Sequence, residues 1–195
     1  MNTPRIARIA ATAFAAGALW HIISCVRALV DPTEPGSVAF ARSNNLGSVA
    51  HLLWLAGLLA LAVVTWRTNR TLARAGYAIA ALGLVLLATA ELVIGRSYDL
   101  SQALFTLSVP VNAIGLTCLG LATARHNTGR TRYAVVTAGI YVFLVMVPVF
   151  AIFGAPNYPT LIGWGITWLL VAAATWSDAN NLAGRGAPMP VRAAA

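Results

Sequence analysis

The sequence predicts an all-α, polytopic integral membrane protein of six transmembrane helices. Three observations predict it. Of 195 residues, 59% are hydrophobic and only 9% charged, with a mean hydropathy of +0.76. Soluble domains carry roughly a quarter charged residues, and a domain this small cannot hide so much apolar surface in a core. Six runs approach the ~20 apolar residues a helix needs to cross the hydrocarbon layer. Arginines cluster in alternate connectors between those runs, which is a topology signal.

The first span is read at 6–30. Arg5 and Arg8 precede it and "AFA" lies inside it, as in a signal peptide. The apolar run continues to Val30, too long for that reading, so the helix is expected to be retained. The next segment, 31–45, opens with the turn-rich "DPTEPGS" and is read as the only long loop. Spans two to six are read at 46–66, 75–95, 102–124, 133–153 and 159–177. Residues 1–178 then form one transmembrane domain. Residues 179–195, with several small and polar residues, read as a disordered tail.

Arg5, Arg8, Arg67, Arg70, Arg74, Arg125, Arg130, Arg132, Arg185 and Arg192 fall on one side of these spans. Arg27, Arg42 and Arg96 fall on the other. The bias puts both termini inside, in the inner (plasma) membrane of a bacterium. All 13 basic residues are Arg, the codon bias of a GC-rich bacterial genome. The net charge of +8 belongs to these connectors, so no nucleic-acid partner is expected. Spans two, four and six end alike, in "LALAVVTWR", "TCLGLATAR" and "LLVAAATWS", which suggests three helical hairpin repeats. Compositional likeness of basic helix ends is the alternative.

Ionisable groups inside a membrane cost on the order of 3 kcal/mol each at its centre, so the few present stand out. They are His21, Arg27, His51 and Glu91, with Asn112 the strongest neutral one. All are expected in the outer half of the bundle, with Glu91 and His51 shallow and His21 and Asn112 near the midplane. Pro110 and Pro148 lie in the same half. Each removes a helical hydrogen bond, which is tolerated beside a cavity or a neighbouring helix. An outer-half pocket is therefore expected, covered by the long loop and by "GAPNYP" (154–159). Helical periodicity gives its walls. Glu91 shares a face with Leu84, Leu87, Ala88 and Tyr98; Asn112 with Ser101, Phe105 and Ser108. Thr160, Trp164, Thr167 and Trp168 form a stripe on span six.

Each polar residue also has a structural reading. Glu91 can pair with Arg27 as a strut between spans one and three. His21 and His51 can each satisfy a backbone carbonyl. Trp66 and Trp176 read as interface anchors, and Cys25 and Cys118 as small apolar residues. His126 falls in a basic connector without a role.

No HExxH zinc site and no GxSxG elbow occurs. The five acids are scattered, so no carboxylate cluster serves a divalent cation or diphosphate. Haem is disfavoured because His21 and His51 differ in expected depth. No metal or cofactor is implied. The expected function is an enzyme doing proton-transfer chemistry, such as cyclisation or isomerisation, on a lipophilic substrate, with isoprenoids among the candidates. Glu91, His51 and His21 are its expected catalytic groups. Asn112, Ser108, Phe105, Tyr98, Trp164 and Trp168 are its expected substrate contacts. Two alternatives stand beside it: a proton- or cation-coupled transporter working as an oligomer, and a non-catalytic accessory subunit. Expected partners are membrane lipids, a lipophilic small molecule and, through close-packing glycines, a second copy of the chain.

Overall fold

The computed structural model describes residues 3–34, 37–65, 71–124, 129–153 and 157–185. Trp66, Arg67, Arg70, Arg125, His126, Arg192, residues 154–156 of the covering segment and residues 186–195 of the tail lie outside the described residues. The chain is an all-α, multi-pass membrane protein. Its six spans are α1 (Thr3–Val30), α2 (Val38–Thr65), α3 (Thr71–Val93), α4 (Tyr98–Ala124), α5 with α6 (Arg130–Tyr141 and Val147–Phe153, joined by a π-helical turn) and α7 (Tyr158–Arg185).

Helix starts follow local capping. Ser37 Oγ accepts from the Phe40 N–H at 3.1 Å, so α2 begins eight residues before the expected start at 46. Most of the expected long loop is thus helix. Ser97 Oγ accepts from the Leu100 N–H at 3.3 Å and opens α4. Asn157 Oδ1 accepts from the Thr160 N–H at 3.2 Å and opens α7. These are N-caps satisfying otherwise orphaned amides. Gly129, before α5, offers no side chain to cap with. Asp178 of α7 serves instead, accepting from the Arg130 and Thr131 amides at 2.9 Å each and from Thr131 Oγ1 at 2.8 Å. That contact explains why α7 runs on to Arg185, through residues the sequence reads as tail. Asn180, two residues on, accepts from Arg8 Nε at 3.2 Å.

Pro110 sits inside an unbroken α4. Pro148 follows the π-helical turn Val142–Met146. A proline has no N–H to give a helical bond, and here the register shifts just before it.

The spans close into a ring in chain order. Each packs on the next, and α7 returns to pack on α1. The ring is apolar outside and partly polar inside. Leu52, Leu59, Leu107, Leu121, Leu144 and Ile152 are exposed, as lipid-facing residues must be. His21, His51, Ser108, Asn112, Thr167 and Thr175 are buried. Glycines bring the spans close. A Cβ on Gly115 would lie 2.6 Å from Ala80 Cα, so α3 and α4 touch backbone to backbone there. Gly57, Gly120, Gly163 and Gly165 likewise meet Phe14, Val136, Tyr141 and Ile22 of this chain. The small residues that suggested a second copy are used within one.

Candidate functional site

His51 and Glu91 meet inside the ring. His51 Nδ1 lies 2.9 Å from Glu91 Oε2, joining α2 to α3. The His51 side chain is 3% exposed and that of Glu91 16%. Local sequence shapes this contact. Gly47 is one turn before His51, and a Cβ there would sit 2.9 Å from Glu91 Oε1. The absent side chain makes room for the carboxylate. Asn45, with its amide oriented to donate, reaches the Glu91 backbone carbonyl at 2.6 Å.

Arg27 is not the partner of Glu91. It is exposed beside Ile23 and Val26, in a shallow groove on the outer surface of α1. Helix rotation decides this: α1 turns His21 and Cys25 inward, and residue 27 follows on the opposite side.

His21 approaches from α1. Its Nε2 lies 3.2 Å from the Leu161 carbonyl of α7. A carbonyl only accepts, so Nε2 carries the proton and donates. Gly165, one turn beyond Leu161, helps: a Cβ there would come within 3.4 Å of the imidazole. Cys25 Sγ lies 3.7 Å from the same nitrogen. The His21 and His51 rings are 5.6 Å apart, edge to face. This corrects the expectation that they differ in depth. With α2 starting at Val38, His51 is carried deeper along its helix, level with His21.

A plate of aromatic rings lies beneath. Trp54 is 5.1 Å from His21 and 5.2 Å from His51, ring centre to ring centre. It stacks on Trp168 at 4.9 Å and 12° and meets Trp164 edge-on at 6.0 Å. Phe14 packs against Trp168 at 5.3 Å. Trp54 also donates from Nε1 to the Phe14 carbonyl at 3.3 Å.

Above this plate is a cavity of about 90 Å³ to which all six spans contribute. His21, His51, Glu91, Asn112, Phe105 and Trp164, all expected at the site, line it. Three expected contacts do not. Tyr98 opens α4 and is 43% exposed, because the chain turns between Val93 and Ser97 and puts it on another helix from Glu91. Ser108 is buried, but its Oγ donates to the Phe105 carbonyl at 2.7 Å. Trp168 lies behind Trp54 and Trp164 as packing. Other lining residues escape the sequence reading. Phe40, Asn44 and Gly47 recur at helical spacing with His51, a signal hidden by reading 31–45 as loop. Cys25, Gln102 and Tyr158 also line the cavity, with Val142 and Met146 from the π-helical turn.

Asn112 has a feature of its own. It is 1% exposed, and Nδ2 points to the Ala80 carbonyl of α3 at 3.4 Å. Oδ1 has no hydrogen-bond partner among the described residues. No arginine lines the cavity. No cluster of three or more His, Cys, Asp or Glu among the described residues is placed to hold a metal ion.

The arrangement can hold and hand over a proton. With Glu91 accepting at His51 Nδ1, the imidazole is fixed in orientation and its Nε2 is left as a base. A carboxylate that orients a histidine in this way is a recurring device of proton-transfer sites. Comparison of the chain with protein-family models, curated proteins and solved structures gives no match, so the chemistry is argued from this geometry alone.

Proposed function

We propose that this protein is a membrane-embedded enzyme in which His51, oriented by Glu91, moves a proton on a lipophilic substrate. The observation that carries the reading is the 2.9 Å His51–Glu91 contact at the wall of a mostly apolar cavity inside the ring. Pockets that combine apolar walls with a few convergent polar groups are the usual form of small-molecule sites. His21, held by the Leu161 carbonyl, is a second imidazole within reach of the same space. Trp164 and Phe105 offer aromatic faces that stabilise positive charge developing on a substrate.

The volume narrows the chemistry. A cavity of about 150 Å³ takes benzene, and this one holds about 90 Å³. One end of a substrate enters while its chain stays along the helices or in lipid. Isomerisation or proton exchange at that end fits better than folding a whole isoprenoid for cyclisation. The Trp54–Trp168 stack closes the floor, which favours an occluded site over a transport path. The arginine distribution supports both termini inside, with the cavity opening outward in the inner membrane of a bacterium. The similar ends of spans two, four and six support a three-hairpin origin.

The test is solvent exchange. The purified protein in lipid nanodiscs is incubated in D2O with a panel of alkenyl and carbonyl-bearing lipids, and deuterium gain at carbon is read by mass spectrometry. Exchange by the unmodified protein, falling about 10²- to 10⁴-fold in His51→Gln, supports the reading. Exchange that survives His51→Gln and Glu91→Gln overturns it.

A further inference from the structure

The cavity's polar groups are unevenly matched, and the mismatch describes a ligand. Asn112 is buried, lines the cavity, and spends its Nδ2 on the Ala80 carbonyl. Swapping oxygen and nitrogen would set two acceptors against each other, so the orientation is fixed by chemistry. Oδ1 is then a buried acceptor with no partner among the described residues. Such a group costs free energy unless something donates to it. Glu91 Oε1 is a second acceptor on the same wall; among the described residues only Oε2 is engaged, by His51. On the donor side, His21 Nε2–H is already directed at Leu161, while Gln102 and Tyr158 also line the cavity and can donate as well as accept. No arginine reaches the cavity, and the Glu91 carboxylate on its wall opposes an anion.

We propose that the cavity binds the head of a hydrogen-bond-donating amphiphile, a hydroxyl or an amine, which donates to Asn112 Oδ1, and that this bond makes it prefer such heads to anionic ones and to ones that only accept. This rests on reading the cavity as a substrate pocket and names the class of substrate it takes. The head is small because the cavity is small. Its chain is apolar because the remaining walls are, with Leu87, Val109, Val142 and Met146 among them. Asn112 on α4 and His51 on α2 line the same small cavity, so a head held at Asn112 brings its neighbouring atoms into the space that holds the imidazole.

Four probes share one chain and differ in the head: 1-dodecanol, dodecylamine, dodecyl methyl ether and dodecyl phosphate. Each is titrated into the protein in nanodiscs, and affinity is read from quenching of tryptophan fluorescence and from thermal stabilisation. Tighter binding of the alcohol or the amine than of the ether and the phosphate, by about tenfold, supports the proposal. Comparison of alcohol with amine tells which donor is preferred. Asn112→Leu then erases the tenfold preference. The proposal is overturned if the ether or phosphate binds as well as the donors, or if the preference survives Asn112→Leu. The ranking on unmodified protein decides the matter even if the variant does not fold. Failure here is distinguishable from failure of the catalytic reading. Donor-selective binding with deuterium exchange that ignores His51 leaves the pocket's ligand class standing without its chemistry. Exchange that needs His51, with no preference for donors, does the reverse.

Discussion

Thermodynamic coupling separates His51, the partner Glu91 has in the structure, from Arg27, the partner the sequence offers it. The perturbations are Glu91→Gln, His51→Phe and Arg27→Gln, singly and in the two pairs that contain Glu91→Gln. A hydrogen bond with a charged partner is worth about 1.5–3 kcal/mol. Here the two side chains are 3% and 16% exposed at 2.9 Å, so solvent screens the contact little. The His51–Glu91 coupling energy should therefore fall near 1.5–3 kcal/mol. Arg27 is exposed and stands on the other side of α1 from the cavity. Additivity holds for residues without shared partners, within about 0.3–0.5 kcal/mol, so the Arg27–Glu91 coupling should be within that range of zero. The assay is reversible unfolding in mixed micelles, followed by circular dichroism, for each corner of both cycles. A larger coupling to Arg27 than to His51 would refute the placement of Glu91. A His51 coupling under about 0.5 kcal/mol would refute the claim that the contact is a strong one.

Three further outcomes follow from the same packing. Gly47→Ala places a Cβ 2.9 Å from Glu91 Oε1, and the carboxylate end can yield by about half an ångström; stability should change by less than about 1 kcal/mol while proton exchange falls about tenfold, as misplacement of reacting groups predicts. Gly115→Ala meets α3 backbone, at 2.6 Å from Ala80 Cα, which cannot yield; a loss of about 1–3 kcal/mol in the same unfolding assay is expected. Asp178→Ala removes three hydrogen bonds from the start of α5, whose own N-cap is glycine; it should cost about 1–2 kcal/mol, and proteolysis near residue 129 should quicken.

The six spans were legible because lipid selects for long apolar runs, and hydropathy reads those directly. Their ends were not, because polar residues at a helix end carry the same signal as loop. Arg42 to Asn45 belong to α2, and Asp178 to Asn181 belong to α7. Their helices persist through tertiary bonds, Asn45 to the Glu91 carbonyl and Asp178 to α5. The eight-residue error at the start of α2 is about 12 Å at 1.5 Å per residue, enough to set His51 apart from His21 when their rings are neighbours. The candidate site was legible as a set of residue types and helix faces. A helical wheel says that Glu91 and Leu87 share a face, but it cannot say which other helix that face meets. His51 and Glu91 are 40 positions apart, and their meeting depends on ring order and on a glycine at position 47. Tyr98 failed as a lining residue for a related reason: the turn after Val93 ends the periodicity that linked it to Glu91.

The ring is chemically lopsided along its axis, and that bears on what it can do. The two buried histidines, Glu91 and the orphaned Asn112 oxygen crowd one end of the interior. Next along the axis come Trp54, Trp164 and Trp168, each 2% exposed or less, with Phe14 against them. A conducting path would need polar groups or water on both sides of that plate. Past it the buried interior includes apolar Leu58 and Val171, and the hydroxyls of Thr167 and Thr175 are spent on the carbonyls of Trp164 and Val171. Moving Trp54 aside would break its stack with Trp168 and its bond to the Phe14 carbonyl, and would remove the surface on which both imidazoles rest. Opening the floor and keeping the His21–His51–Glu91 arrangement are therefore opposed. A protein that needed both would place the aromatic plate elsewhere. One that needed only a dry, one-ended pocket gains from it, since an imidazole packed on indole and tied to a carboxylate keeps its orientation while a substrate's head comes and goes.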